Sequence, residues 1–196
     1  PITMEINPKY VLHTAEDMRR MGPLCTPYGL PDAVRMNLMA SIEDGTVDVL
    51  ASDHAPHTRE ELEPGWKDAW KIPFGNPQLD HFVGALLTCV NEGKMSLQTL
   101  NRTLAENPAK LAGIYPKKGA IRIGSDADFA VLDMNAKGTF NNENLGTKVQ
   151  WSPYAGREYT GKPVMTVLRG QIIMRDGIVM GMPGTGEFLS GSHVRK

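Results

Sequence analysis

The sequence predicts an α/β chain in two parts, with strands and helices alternating up to about residue 114 and mainly strands from 115 to 190. Three observations carry that expectation. Asp32 to Glu43 sets Val34, Leu38, Met39 and Ile42 on one helical face and stops near Gly45. The run Val47 to Ser52 that follows is short and mostly apolar, which suits a buried parallel strand. Past Tyr115 the apolar residues fall in short runs, and Arg175-Asp176-Gly177 turns one run into the next, a good hairpin signal.

The remaining elements follow in order. Ile2 to Asn7 alternates apolar and polar residues before Pro8, so it reads as a strand entering a loop. Residues 22–31 are rich in glycine and proline and read as a loop. Residues 59–77 are charged, broken by Pro64, Gly65, Pro73, Gly75 and Pro77, and carry Trp66, Trp70 and Phe74; they read as a long functional loop. Helices are expected over 78–91 and 96–106, with Asn107-Pro108 capping a further helical turn. Strands are expected at Ala120–Ile123, Phe129–Leu132, Val164–Leu168, Gln171–Met174 and Ile178–Met180, and residues 191–196 as a flexible tail.

Composition narrows the function classes. A hydrophobic fraction of 41% and a charged fraction of 22% are those of a soluble globular protein. The net charge of −1 gives no electrostatic case for nucleic acid or an anionic membrane. No apolar run approaches the roughly 20 residues that span a bilayer. Cys25 and Cys89 form no CxxC pair and read as reduced thiols of a cytoplasmic protein. Pro1 opens directly into a strand-like run, so the beginning of the protein is expected to lie elsewhere.

The chemistry centres on Asp53-His54-Ala55-Pro56-His57-Thr58, at the C-terminal mouth of the strand ending at Ser52. α/β enzymes place their sites there. A carboxylate in that position can bind a divalent metal and accept a proton from metal-bound water. His57 stands where it could face a bound anion. The plainer alternatives are that Asp53 caps a turn and that His57 is a solvated loop residue. His54 reads as structural or as a support behind the residues that contact metal and substrate.

Val49 to Thr58 resembles the last-barrel-strand motif of bacterial-type (class I) dihydroorotases, an apolar run followed by (Thr/Ser)-Asp-His-Ala-Pro-His. Lys118 to Asp133 is similar to the segment that opens the C-terminal β-domain across the amidohydrolase superfamily. Pro73-Phe74-Gly75 resembles the Phe-Gly step of the family's substrate loop, and Ser152-Pro153-Tyr154 and Pro183-Gly184-Thr185-Gly186 match its closing segment.

The resemblance implies the C-terminal part of a (β/α)8 TIM-like barrel over residues 1–114 and a small β-sandwich domain over 115–190. It implies one or two zinc ions, with most ligands outside this chain, and hydrolysis of a cyclic amide, most simply dihydroorotate in pyrimidine biosynthesis. Carried over, Asp53 binds metal and shuttles the proton, His57 binds the substrate carboxylate, and the Phe74-Gly75 backbone hydrogen-bonds the ring. Thr26 stands where a substrate-binding asparagine is usual. Asn7-Pro8-Lys9-Tyr10 replaces the family's Thr-Pro-His-His and is closer to hydantoinases. His13, His81 and His193 match no ligand position. A hydantoinase-, dihydropyrimidinase- or allantoinase-like amidase and a catalytically inactive scaffold or subunit partner are the alternatives. The protein is expected to form a homo-oligomer or to associate with the part that precedes it.

Overall fold

The computed structural model describes residues 2–25 and 29–191. Two strands, β1 (Glu5–Ile6) and β2 (Val49–Leu50), pair in parallel with Glu5 opposite Val49 and Ile6 opposite Leu50. Parallel neighbours need a crossover. Here it is made by α1 (Lys9–Leu12), α2 (Ala15–Met21) and α3 (Asp32–Glu43). A capping box, Thr14 with Asp17, starts α2. The bounds of α3 are those that its apolar spacing predicts.

Residues 59–77 depart from the expected loop. Thr58 and Glu61 form a second capping box that starts α4 (Arg59–Leu62), and 3-10 turns follow at Glu63–Trp66 and Ala69–Lys71. The Thr-x-x-Glu pattern is a helix-start signal that the density of proline and glycine obscured. α5 (Phe82–Asn91) then buries Ala85, Leu86, Leu87 and Cys89.

A second correction concerns Asn107. α6 (Leu97–Asn101), capped by Ser96, runs through a π-helical stretch, Arg102–Glu106, into α7 (Asn107–Leu111). Asn107 therefore caps nothing, and its Nδ2 donates to the carbonyl of Asp48 at 2.8 Å. The widened π-turn sits just ahead of Pro108, which has no N–H to give to an i−4 carbonyl.

After α7 the character changes as expected. β3 (Phe129–Thr139), β4 (Glu158–Leu168), β5 (Gln171–Arg175) and β6 (Ile178–Val179) form one antiparallel sheet in that order. Arg169-Gly170 and Asp176-Gly177 close its two tight turns, all four residues at positive φ. Among the described residues this sheet has no second sheet facing it, and the parallel pair closes no barrel. Ala120–Ile123 is not a strand. Ile121 and Ile123 are fully exposed in a segment flanked by Gly119 and Gly124 at positive φ, and the segment pairs with none of the described strands.

One core joins the two parts. Val11, Met39, Ile42, Val47, Leu50, Leu86 and Leu87 pack together, and Leu132 and Met134 of β3 lean on them. β4 lies close on α5: a Cβ at Gly161, which sits at φ +100°, would come within 2.9 Å of Leu87 Cβ. Asn91 donates to the carbonyl of Thr160, and Thr160 N donates to Thr88 Oγ1, which fixes the docking. No helix among the described residues is long and apolar enough to cross a membrane. Of the expected tail, Ser192 to Lys196 lies outside the described residues.

Candidate functional site

The parallel register of β1 and β2 delivers the ends of both strands to the same place. Asn7-Pro8-Lys9 leaves β1 where Asp53 follows β2, so groups 44 to 46 positions apart meet. Asn7 Oδ1 accepts from Lys9 N at 2.9 Å, while its Nδ2 donates to Asp53 Oδ2 at 3.0 Å. Lys9 Nζ donates to the Asp53 carbonyl at 3.0 Å and to Oδ2 at 3.3 Å.

Asp53 adopts φ 43°, a left-handed conformation. For an L-residue that region costs on the order of 1 kcal/mol, less for Asp than for most. Strain of this kind persists where surroundings hold it. Here the holders are Lys9 and Asn7. The Lys9 side chain is wholly buried, whereas that of Asp53 is 66% exposed. Burial pulls the Lys9 ammonium below the usual lysine pKa, and the Asp53 carboxylate beside it works in the opposite direction. Both donors take Oδ2. Among the described residues Oδ1 accepts no hydrogen bond and the side chain is largely exposed, so the carboxylate is anchored at one oxygen and open at the other.

The other expected residues are placed as follows. Nδ1 of His54 accepts from Gln78 N at 2.9 Å, so His54 anchors the start of the next segment, in keeping with a structural role. His57 is partly buried, with Nδ1 3.6 Å from Glu61 Oε2, and its carbonyl accepts from Trp151 Nε1 at 2.8 Å. Gly75 is buried against Ala55 and His57; an added Cβ would meet Ala55 O at 2.4 Å and His57 Cδ2 at 3.2 Å. Phe74 is half-exposed and meets Trp70 edge-to-face at 6.5 Å. The structure thus brings His57 to Gly75, and Asp53 to Asn7 and Lys9. Thr26 lies outside the described residues.

Two residues of this cluster escaped the sequence reading. Lys9 and Asn7 are noticed there only as a departure from a familiar string. The available signal was positional: both follow a strand, just as Asp53 does.

As a metal ligand Asp53 has the right chemistry for one position, an ionisable oxygen open at a strand mouth. The described residues hold no group of three or more His, Cys, Asp or Glu able to grip an ion, so Asp53 alone is an incomplete set. A cleft of about 470 Å³ runs beside β2, lined by Glu5, Leu50, Phe82, Leu104 and Leu111; its lining reaches Ser52 and stops short of Asp53. It is mostly apolar and holds none of the site's chemistry.

The thiols offer no rival site. Burial pushes Cys25 up to about 12 and raises Cys89 as well, so both stay protonated and unreactive.

Comparison with known proteins gives a consistent picture. The model of the amidohydrolase family matches residues 24–173. An L-hydantoinase of Paenarthrobacter aurescens is 38% identical over 189 residues, which is 95% of this chain and 41% of that protein. A dihydroorotase of Methanothermobacter thermautotrophicus is 36% identical over 195 residues, 98% of this chain and 43% of that protein. The solved L-hydantoinase (dihydropyrimidinase) from Arthrobacter aurescens superposes with a TM-score of 0.87 at 37% identity, over 91% of this chain and 40% of that one. The chain spans well under half the length of these relatives.

Proposed function

The chain belongs to the amidohydrolase family, and on that premise we propose that the whole protein is a metal-dependent cyclic amidase, with dihydroorotate as the leading substrate. Residues 1–114 are its barrel segment and 115–190 its β-domain. The observation that carries the reading is the Asp53 carboxylate, anchored at Oδ2 by Asn7 and Lys9 and open at Oδ1, past the end of a parallel strand.

Asp53 would give one oxygen to a divalent metal, for which zinc is the family's usual choice, the other ligands coming from outside the described residues. When bound, such an ion supplies Lewis acidity and makes a water more acidic. Asp53 accepts a proton and returns it to the ring nitrogen as the amide bond breaks. His57 binds the substrate carboxylate, and the buried Gly75 backbone beside it lets the ring approach closely. Small cyclic amides are the substrates; with a net charge of −1, nucleic acid and anionic membrane surfaces are not proposed as partners.

The second reading is a hydantoinase. It is favoured by Asn7-Pro8-Lys9-Tyr10, which departs from the dihydroorotase string at the very residues that hold Asp53. The test common to both is Asp53→Ala in the whole protein with zinc supplied. Turnover of the preferred cyclic amide should drop by about 10²–10⁴-fold, the scale of a lost acid–base group. Near wild-type turnover would remove Asp53 from the chemistry.

A further inference from the structure

We infer that Lys9 is a positioning residue: its buried ammonium ties down the backbone carbonyl and the carboxylate of Asp53 together and so holds the left-handed turn that aims the open oxygen Oδ1. The inference deepens the proposed function and rests on Asp53 carrying the proton in it.

Three observations point to this role. Lys9 is wholly buried, although lysine ordinarily keeps its ammonium in water. Burial of that kind requires polar partners, and Lys9 finds two of them on one residue, the carbonyl and Oδ2 of Asp53. The carbonyl contact is the shorter, at 3.0 Å against 3.3 Å, so the ammonium holds the backbone as well as the charge. That backbone is the strained element, with Asp53 at φ 43°.

The geometry also explains why the side chain is a lysine. One ammonium offers three donors from a single atom, which suits a carbonyl and a carboxylate oxygen of the same residue. A methionine would fill much the same buried space and offer none. Asn7 works alongside: it fixes Lys9 through the backbone N–H and takes the same carboxylate oxygen through Nδ2. The pair therefore leaves Asp53 one orientation. Lys9 itself touches no reacting atom in this scheme.

The test compares Lys9→Met, Asn7→Ala and Asp53→Ala in the whole protein, reading kcat and KM separately, the melting midpoint, and the zinc affinity of metal-stripped protein by chelator competition. If Lys9 positions Asp53, folded Lys9→Met loses about tenfold to 10²-fold in kcat, the scale of an ångström-sized misplacement. KM should stay within about threefold, because ground-state binding is untouched, and zinc affinity should fall with kcat. A folded Lys9→Met with wild-type kcat and wild-type zinc affinity overturns the inference, whatever its melting midpoint. Should Lys9→Met fail to fold, Asn7→Ala decides: a smaller fall in kcat at constant KM supports positioning, and unchanged kcat overturns it. An active Asp53→Ala would instead overturn the proposed function, which separates the two failures.

Discussion

Arg157 donates from Nη2 to Nδ1 of His13 at 2.7 Å, and this one bond fixes the protonation of a buried histidine. A guanidinium has no acceptor, so Nδ1 must carry the lone pair and Nε2 the proton. His13 is fully buried, stacked on Tyr154 at 5.1 Å between ring centres. Arg157 also donates to the carbonyl of Leu12 and pairs with Asp17, and thereby binds the approach to β4 to the loop between α1 and α2.

Burial, with the Arg157 cation second, pulls His13 down to about 3. The unfolded chain takes up a proton near pH 6.5 that the folded chain refuses, so stability is complete above about pH 6.5 and declines below it. The decline approaches about 1.4 kcal/mol per pH unit and ends near pH 3. Asp17, whose pKa is lowered, adds a loss of the same sign only below its usual carboxylate range. Urea unfolding from about pH 7.5 to about pH 4.5 therefore reads His13 together with His81, whose pKa burial also lowers, and the difference between wild type and a His13 variant isolates His13. His13→Gln should flatten that slope, and a wild type equally stable at both ends would mean that His13 protonates in the folded protein.

Gly75→Ala tests the approach of the proposed substrate loop to the site. The new Cβ would lie 2.4 Å from a backbone carbonyl, that of Ala55, which cannot rotate away. The loop must shift, and His57 at 3.2 Å shifts with it. The expected cost is about 1–3 kcal/mol of stability, as for other overpacked sites, with a raised KM. Gly186→Ala, where nothing lies within 4 Å, is the control and should change stability by less than about 0.5 kcal/mol. Equal behaviour of the two variants would show that Gly75 is not tightly packed.

What the sequence made legible is local. The spacing in 32–43 specifies a helix because each contact lies within two turns. Asp176-Gly177 specifies a turn because both residues tolerate positive φ. Ile121 and Ile123 failed as a strand because pairing depends on distant partners that a four-residue pattern does not encode. Lys9 was legible only as a residue that follows a strand, because parallel register, not spacing, brings it to Asp53. His13, dismissed as matching no ligand position, turned out to be a neutral core residue whose partner, Arg157, lies 144 positions on.

Trp151→Phe asks whether the second half of the chain supports the site. Trp151 is buried with Leu62 and Ile72, and its indole N–H is given to the carbonyl of His57. Phenylalanine keeps most of the packing and leaves that carbonyl without its donor, at a cost of about 1–3 kcal/mol. Denaturant unfolding should register the loss, and KM should rise as the His57 segment loosens. A variant with wild-type stability and KM would make the bond incidental.

His57 separates the two substrate readings. Dihydroorotate carries a carboxylate and hydantoins do not, so a partly buried donor beside Gly75 serves only the former. A lost charged hydrogen bond costs roughly 1.5–3 kcal/mol, or about 10–150-fold in binding. Glu61 Oε2 accepts from the Thr58 backbone at 2.8 Å and, at 3.6 Å from Nδ1, lies beyond hydrogen-bond distance of the imidazole. In the whole protein with zinc, His57→Ala should raise KM for dihydroorotate by that factor and alter KM for dihydrouracil far less. Preference for dihydrouracil or a hydantoin in the wild type, unchanged by His57→Ala, would exclude dihydroorotate as the substrate and leave the hydantoinase reading standing. In the proposed function Asp53 serves the amide bond common to all these rings, and it should be needed in either case.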